Sequence, residues 1–182
     1  MSRKYKFRDN DKLYFVSFSV VYWIDVFIRN EYKDLLLDSL KYCKENKGLE
    51  LYAYCIMTSH VHLIIGSMAE KMEDILRDFK RHTSTHLRKA IEQNGQESRK
   101  EWMLLLMKRA GEQNSNNNDF QFWQQHNQPI ELFDNHIMLQ KLNYIHNNPV
   151  ETGFVSSPED YVYSSARDYA GQKGLIEILY IQ

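Results

Sequence analysis

Two histidines in the stretch TSHVHLIIG (58–66), His60 and His62, could hold a metal ion. Side chains two apart on a strand point to the same side, with Cβ atoms ~6.5–7 Å apart along it. Two imidazoles can therefore converge on one divalent ion, while Val61 faces the other way into apolar packing. The alternative is that one histidine is an ordinary hydrogen-bonded residue and the other is present by chance.

Two imidazoles would leave such a site incomplete. Mg²⁺ and Mn²⁺ prefer octahedral surroundings that are rich in oxygen ligands. If the ion is one of these two, we therefore expect a third protein ligand, with phosphate oxygens of a substrate filling the remaining positions.

A second group of reactive side chains lies in KLNYIHNNPVETGFV (141–155). Helical spacing places Lys141, Tyr144 and Asn148 on one side. Tyr144 could be a nucleophile, but its hydroxyl is ordinarily protonated at neutral pH, so attack on phosphorus needs a nearby cation or a polarised electrophile. A helix-end tyrosine with a solvated hydroxyl is the alternative. Asn148 could give an amide oxygen to a metal ion or could cap the helix C-terminus.

The hydrophobic pattern predicts the elements that must position these side chains. Strands are predicted at 13–22, 49–57, 60–66 and 120–132, and helices at 30–46, at 71–93 and from Asp134 to about 148. Asn30 and Asp134 can cap their helices, Pro149 and Gly153 should end the last one, and Pro129 favours an edge strand. This order predicts an α+β, ferredoxin-like or RRM-like fold with a mainly antiparallel sheet and helices packed on one face.

The chain of 182 residues is predicted to form a single domain, 1–182. Residues 95–119 read as a polar and helical insertion, and 156–182 as a C-terminal tail. Apolar residues make up 43% of the chain and charged residues 26%, a mix typical of globular proteins. The net charge of −1 gives no overall basic field, and Cys43 and Cys55 are too few for a disulfide framework. We expect a cytoplasmic protein without a membrane span.

Several separated stretches resemble one known family. They are YFVSFSVVYW near the N-terminus, YCIMTSHVHLIIG around the histidines, FWQQ (122–125), YIHNNPVETGFV around the tyrosine, and YVYSSARDY (161–169). Together they resemble the IS200-like single-tyrosine HUH transposases, and most closely the REP-associated tyrosine transposases. Thr58 and Ser59 replace the family's common Pro-Asn before the histidine pair.

The resemblance implies that His60 and His62 bind a divalent ion, Mg²⁺ or Mn²⁺, with Asn148 as the third ligand, and that Tyr144 is the nucleophile. The implied activity is cleavage and rejoining of single-stranded DNA that carries a hairpin, through a 5′-phosphotyrosine intermediate. Members of the wider family act as dimers or as monomers, so the resemblance leaves a homodimer and a monomer open.

A basic side of the helix predicted at 71–93 is expected to hold DNA through its phosphates. Its residues are Arg77, Lys80, Arg81, Arg88 and Lys89, and Arg3, Lys4 and Lys6 would add to it. A solvated charged helix face is the alternative.

Two other functions are open. The histidine-triad hydrolases carry HxHxH, but position 64 is Ile here, so the third histidine is missing. The second alternative is a non-catalytic module that binds single-stranded nucleic acid with aromatic residues on a ferredoxin-like sheet.

Overall fold

A computed structural model of the chain describes Phe7, Asp9 and residues 11–114, 119–125 and 129–181. Arg3, Lys4 and Lys6, expected to contact DNA, lie outside these residues. The strands are β1 (Tyr14–Ser19), β2 (Leu49–Ile56), β3 (His60–Ser67) and β4 (Ile130–Glu131). The α-helices are α1 (Asn30–Lys47), α2 (Met72–Gln93), α3 (Lys100–Glu112), α4 (Asn135–Glu151) and α5 (Ala166–Tyr169).

The four strands form one antiparallel sheet in the order β2-β3-β1-β4. β2 and β3 form a hairpin that is closed where the Met57 amide donates to the His60 carbonyl (2.8 Å). Because β3 lies between β1 and β2, the segment through α1 is a crossover between non-adjacent strands, which is the split βαβ arrangement. The predicted α+β ferredoxin-like class is confirmed.

Successive side chains of a strand point to opposite faces of the sheet, so the core consists of two clusters, one on each face. α1 and α2 cover the larger cluster, which includes Val16, Val61 and Leu63. α4 covers the smaller one, which includes Phe15 and Ile64. The helices were expected on one face, but α4 packs on the opposite face because Leu142 and Ile145 bury against the second set of strand residues.

Two predicted strands are shorter in the structure. β1 ends at Ser19 because Tyr22 and Trp23 adopt positive φ, which no extended strand allows. Among the described residues of 120–132, the two residues of β4 pair with β1, and Trp123 forms an isolated bridge with Val20 just after β1. The Trp123 ring packs edge to face on Phe18 in the core, where its Nε1 donates to Thr83 Oγ1 of α2 (3.0 Å).

Helix ends follow the predicted signals with two exceptions. Asp134 caps α4 by accepting from the Ile137 amide (2.7 Å), as predicted. Asn30 does not cap α1: Arg29 holds the cap position, and Asn30 is the first helical residue.

Pro149 was expected to end α4 with Gly153, but the helix continues through Pro149 to Glu151. Pro149 lacks the N–H that would bond to the carbonyl four residues earlier, so the helix passes through it with one backbone hydrogen bond fewer. The helix then closes with a Schellman motif, in which Gly153 (φ 77°) donates to Val150 and Phe154 donates to Pro149.

The described parts of the expected insertion and of the expected tail pack against the rest of the protein. In α3, Met103 and Met107 are fully buried in the larger cluster. The segment after α4 lies along the outer edge of β2, where amides of Ile56 and Leu179 bond to Tyr163 and Leu51 carbonyls respectively. This covers an edge that would otherwise expose unpaired strand groups. Among the described residues, no helix is both long and apolar enough to cross a membrane.

Candidate active site

The two histidines project from β3 toward α4. Val61 between them is buried in the larger cluster on the other face, 1% exposed. The imidazole centroids of His60 and His62 lie 4.8 Å apart. The register of the sheet places Ser19 opposite His60 and Ser17 opposite His62. The strand geometry predicted from the sequence therefore brings both imidazoles to one point.

His62 is the more deeply buried of the two histidines. Its side chain is 4% exposed and stacks on Phe15 at 5.7 Å between centroids. Neither ring nitrogen has a hydrogen-bond partner within the described part of the chain. Burial, with smaller contributions from His60 and Lys141, lowers the pKa of His62 to about 3. The imidazole is therefore neutral at physiological pH and has a lone pair to offer, which a metal ligand needs.

His60 is less deeply buried. Burial lowers the pKa of His60, and the adjacent Asn148 side chain partly restores it. Ser59 Oγ lies 3.3 Å from its Nδ1, and the Trp23 ring meets it edge to face at 5.4 Å. Burial favours the neutral imidazole, and the contacts with Ser59 and Trp23 hold its ring beside His62.

Asn148 lies inside α4, four residues after Tyr144. The cap residue of the helix is Thr152, which excludes the C-cap alternative. Asn148 is 8% exposed, and its Oδ1 is a second buried atom without a partner among residues that the structure describes. An amide oxygen and an imidazole left unsatisfied at the same place each carry a desolvation cost that a bound cation would remove.

Tyr144 lies over the same point from α4 of the same chain. Its ring is 5.1 Å from that of His62 and 5.9 Å from that of Phe15. The side chain remains 41% exposed, so a substrate can reach the phenol. Lys141 completes this surface, with Nζ 5.0 Å from the Phe15 ring centroid and 5.7 Å from that of Tyr144.

The donor set suits a divalent ion whose remaining ligands come from a substrate. Within the described ranges, no three His, Cys, Asp or Glu side chains are grouped to hold a metal. The ligands available are two neutral imidazoles and one amide oxygen. Such a set adds no negative charge of its own, so a bound cation would retain its attraction for a phosphate.

Comparison with known proteins decides the family. The family model described as "Transposase IS200 like" matches residues 14–104, half of the chain, including both histidines. The chain belongs to the IS200-like transposase family. This membership supports a DNA-processing enzyme. No curated protein matches the chain.

Solved structures extend the likeness to the whole fold. The structure of a REP-associated tyrosine transposase bound to a REP hairpin aligns with 100% of this chain and 92% of its own, at 17% identity and a TM-score of 0.67. A second, described as a transposase from Deinococcus radiodurans, covers 81% of this chain and 95% of its own at 20% identity, with a TM-score of 0.44. The first shows that the chain shares the fold of that structure.

The basic residues of α2 do not join the candidate site, because α2 packs on the opposite face of the sheet. Arg77 pairs with Asp74 and Asp78, and Arg88 pairs with Glu92. Lys80 turns inward: its Nζ donates to the Gln124 carbonyl (3.3 Å), and burial lowers its pKa to about 8. Arg81 and Lys89 are exposed on the outer side of the helix.

Sequence reasoning missed two site residues and gave no role to a third. Phe15 contacts the rings of both His62 and Tyr144. The alternation of side chains along β1 could have placed it on the same face of the sheet as the histidines. Trp23 contacts His60 only because the chain turns sharply after β1, and no glycine marks this turn. Lys141 was placed on the Tyr144 side without a function.

Proposed function

We propose that the protein is a metal-dependent enzyme that cleaves and rejoins single-stranded DNA, with Tyr144 as the nucleophile. The observation that carries this proposal is the convergence of buried, unsatisfied atoms of His62 and Asn148 with an accessible phenol 5.1 Å from the His62 ring. The histidine pair on β3 and Tyr144 with Asn148 on α4 come from distant parts of the chain. The chain belongs to a transposase family.

His60, His62 and Asn148 would hold one divalent ion, Mg²⁺ or Mn²⁺. A divalent cation supplies charge withdrawal from a contacted phosphate, which favours attack at phosphorus. Burial lowers the pKa of both histidines, that of His62 to about 3, and so favours the neutral imidazole, in which one ring nitrogen has a lone pair for this role.

Tyr144 would attack the scissile phosphorus through Oη. The Oη–P bond forms as the P–O3′ bond breaks, and the electron pair passes to O3′, which takes a proton to become a free 3′-hydroxyl. The phenolic proton leaves to solvent, which the 41% exposure of the side chain permits. The Lys141 ammonium beside the ring favours the negative charge that develops on Oη. The 5′-phosphotyrosine keeps the energy of the phosphodiester, so a second 3′-hydroxyl can reverse the reaction.

A hairpin-bearing single strand is the first substrate to test, because the full-length structural neighbour is bound to a REP hairpin. Both histidines and Tyr144 belong to one chain, which supports action as a monomer. The non-catalytic alternative would use an open sheet face, but α4 covers the face that carries Phe15, which is 6% exposed.

The test is covalent capture of DNA. The protein incubated with Mn²⁺ and hairpin-bearing single strands should give an adduct that survives denaturing electrophoresis, and a chelator should prevent it. Tyr144→Phe should abolish the adduct while binding persists. Tyr42→Phe, at a tyrosine 58% exposed on α1, is the matched control and should retain it. An undiminished adduct in Tyr144→Phe would refute the assignment.

A further inference from the structure

The turn after β1 presents two aromatic rings to solvent. Tyr22 and Trp23 have φ of 54° and 55°, a left-handed conformation that bulky residues rarely adopt. Hydrogen bonds hold the backbone before them, since the Val20 amide donates to Ser59 (2.9 Å) and the Val21 amide donates to Phe122 (2.8 Å). The strained turn leaves Tyr22 50% and Trp23 57% exposed. Burial of the two rings therefore does not offset the cost of this conformation.

An open cavity of ≈ 480 Å³ lies beside these rings, between the turn and the C-terminal end of α3. Buried Val21 and Ala110 contribute apolar surface to it. Five side-chain amides supply the polar groups: Gln113, Asn114, Gln121, Gln124 and Gln125. All the described residues that line the cavity are uncharged, so its chemistry suits a neutral, planar, polar group and not a phosphate or a cation.

Gln113 and Gln124 are held in place by contacts that use only part of their hydrogen-bonding capacity. Gln113 Oε1 accepts from the Tyr22 hydroxyl (3.2 Å), which commits its oxygen and leaves its NH₂ to donate elsewhere. Gln124 Nε2 donates to the Val20 carbonyl (3.3 Å), which leaves its oxygen to accept. A donor and an acceptor beside exposed aromatic rings match the edge and face of an unpaired nucleobase.

We propose that this cavity binds one unpaired nucleobase of the DNA strand whose backbone lies at the histidines. Trp23 connects the two sites, because its ring borders the cavity and also meets His60 at 5.4 Å. The base stacks on Trp23 or Tyr22 and is read by Gln113 and Gln124. The inference rests on the proposed DNA function and gives the segment 95–119, which supplies Gln113, a role in base recognition.

The test measures binding, so it does not depend on cleavage. Full-length Tyr144→Phe protein first selects its preferred DNA from a pool of hairpins with randomised unpaired flanks. Each flanking nucleotide of the selected DNA is then replaced in turn by an abasic site. We expect one position to lose about tenfold in affinity, the scale of a base–aromatic stack.

Adding Trp23→Ala to this protein should itself cost about tenfold in affinity and should remove the penalty at that abasic position. Gln113→Ala changes an exposed residue and leaves the Trp23 ring in place. It should reduce the difference in affinity between the four bases at the same position. The matched controls are Trp102→Ala, at a tryptophan 52% exposed on α3, and Gln93→Ala at the exposed end of α2. Both controls should keep the penalty and the preference.

Three results would overturn the inference: no flanking position shows a penalty, the penalty is the same in Trp23→Ala and Trp102→Ala, or Gln113→Ala leaves base preference unchanged. Failure of the cleavage proposal is separate. It would appear as absence of an adduct between the selected DNA and protein with an intact Tyr144, whatever the abasic scan shows. Failure to bind any member of the pool would overturn both.

Discussion

His62 combines deep burial with two ring nitrogens that have no hydrogen-bond partner among the residues that the structure describes. A buried polar group without a partner costs free energy, and a ligand that binds only the folded protein returns it. We therefore expect that the unpaired groups lower the stability of the metal-free protein and that metal binding raises it.

Mn²⁺ should stabilise the protein through this residue. At a concentration of 100 Kd, a ligand of the folded state adds about 2.7 kcal/mol, or a Tm rise of about 5–10 °C in a chain of this size. His62→Ala should abolish this rise, measured by calorimetry. His86→Ala on the exposed side of α2 should leave it intact. An equal Mn²⁺-dependent rise in His62→Ala would contradict the ligand assignment.

Lys141 is the cation nearest to the Tyr144 ring among the contacts described. Lys141→Met should slow adduct formation about tenfold, since a partly solvated charge at this distance contributes on the order of 1.4 kcal/mol to a developing anion. DNA affinity should fall much less, because one phosphate contact at most is lost. Single-turnover rates and equilibrium binding separate the two effects, with Lys41→Met as a control on α1. A loss of affinity as large as the loss of rate would assign Lys141 to binding alone.

At the scale of elements, the sequence predicted local geometry well and packing less well. Period-two spacing on β3 predicted that His60 and His62 share a face, and helical spacing predicted that Tyr144 and Asn148 share one. That α4 crosses the face opposite to α1 and α2 depends on contacts between distant segments, which no local pattern reports. The turn at Tyr22 and Trp23 was also hidden, because left-handed backbone is expected at glycine and asparagine.

α2 separates its basic residues into two groups. Arg77 and Arg88 are paired with carboxylates and Lys80 turns inward, whereas Arg81 and Lys89 are exposed. If this helix holds DNA, the exposed pair should carry most of the effect, because an ion-paired arginine must first give up its partner.

Arg81→Gln combined with Lys89→Gln should weaken single-stranded DNA binding for all sequences alike and reduce the salt slope of log affinity by about 1.4, or 0.7 per phosphate contact. Arg77→Gln should change the slope less. Titrations at several salt concentrations provide the measurement. An unchanged salt slope in the double variant would show that the basic side of α2 is only a solvated helix face.

At the scale of the whole molecule, the fold brings the β2–β3 hairpin, which carries the two histidines, together with α4, which carries Tyr144, within one chain. The full-length likeness to a solved transposase fits this arrangement, as does the packing of the C-terminal segment along β2, which covers the sheet edge. The chain therefore supplies every proposed site residue without a partner subunit.

Mixing two inactive variants tests this completeness. If the site works within one chain, His60→Ala mixed with Tyr144→Phe should form no adduct, because neither chain has both halves. A dimer that exchanges α4 would have one intact site in each mixed dimer, which restores about a quarter of the activity in a statistical mixture. Restored adduct would therefore show that the tyrosine acts on the partner's histidines.

The most direct test of the central claim is to locate the DNA on the protein. After reaction with a hairpin-bearing single strand in Mn²⁺, nuclease and protease digestion followed by mass spectrometry should find a nucleotide on the peptide that contains Tyr144. The link should be a 5′-phosphate ester of the phenol, and the released strand should end in a 3′-hydroxyl. A nucleotide on any other residue, or cleavage that leaves no covalent protein, would contradict the assignment of Tyr144 as the nucleophile.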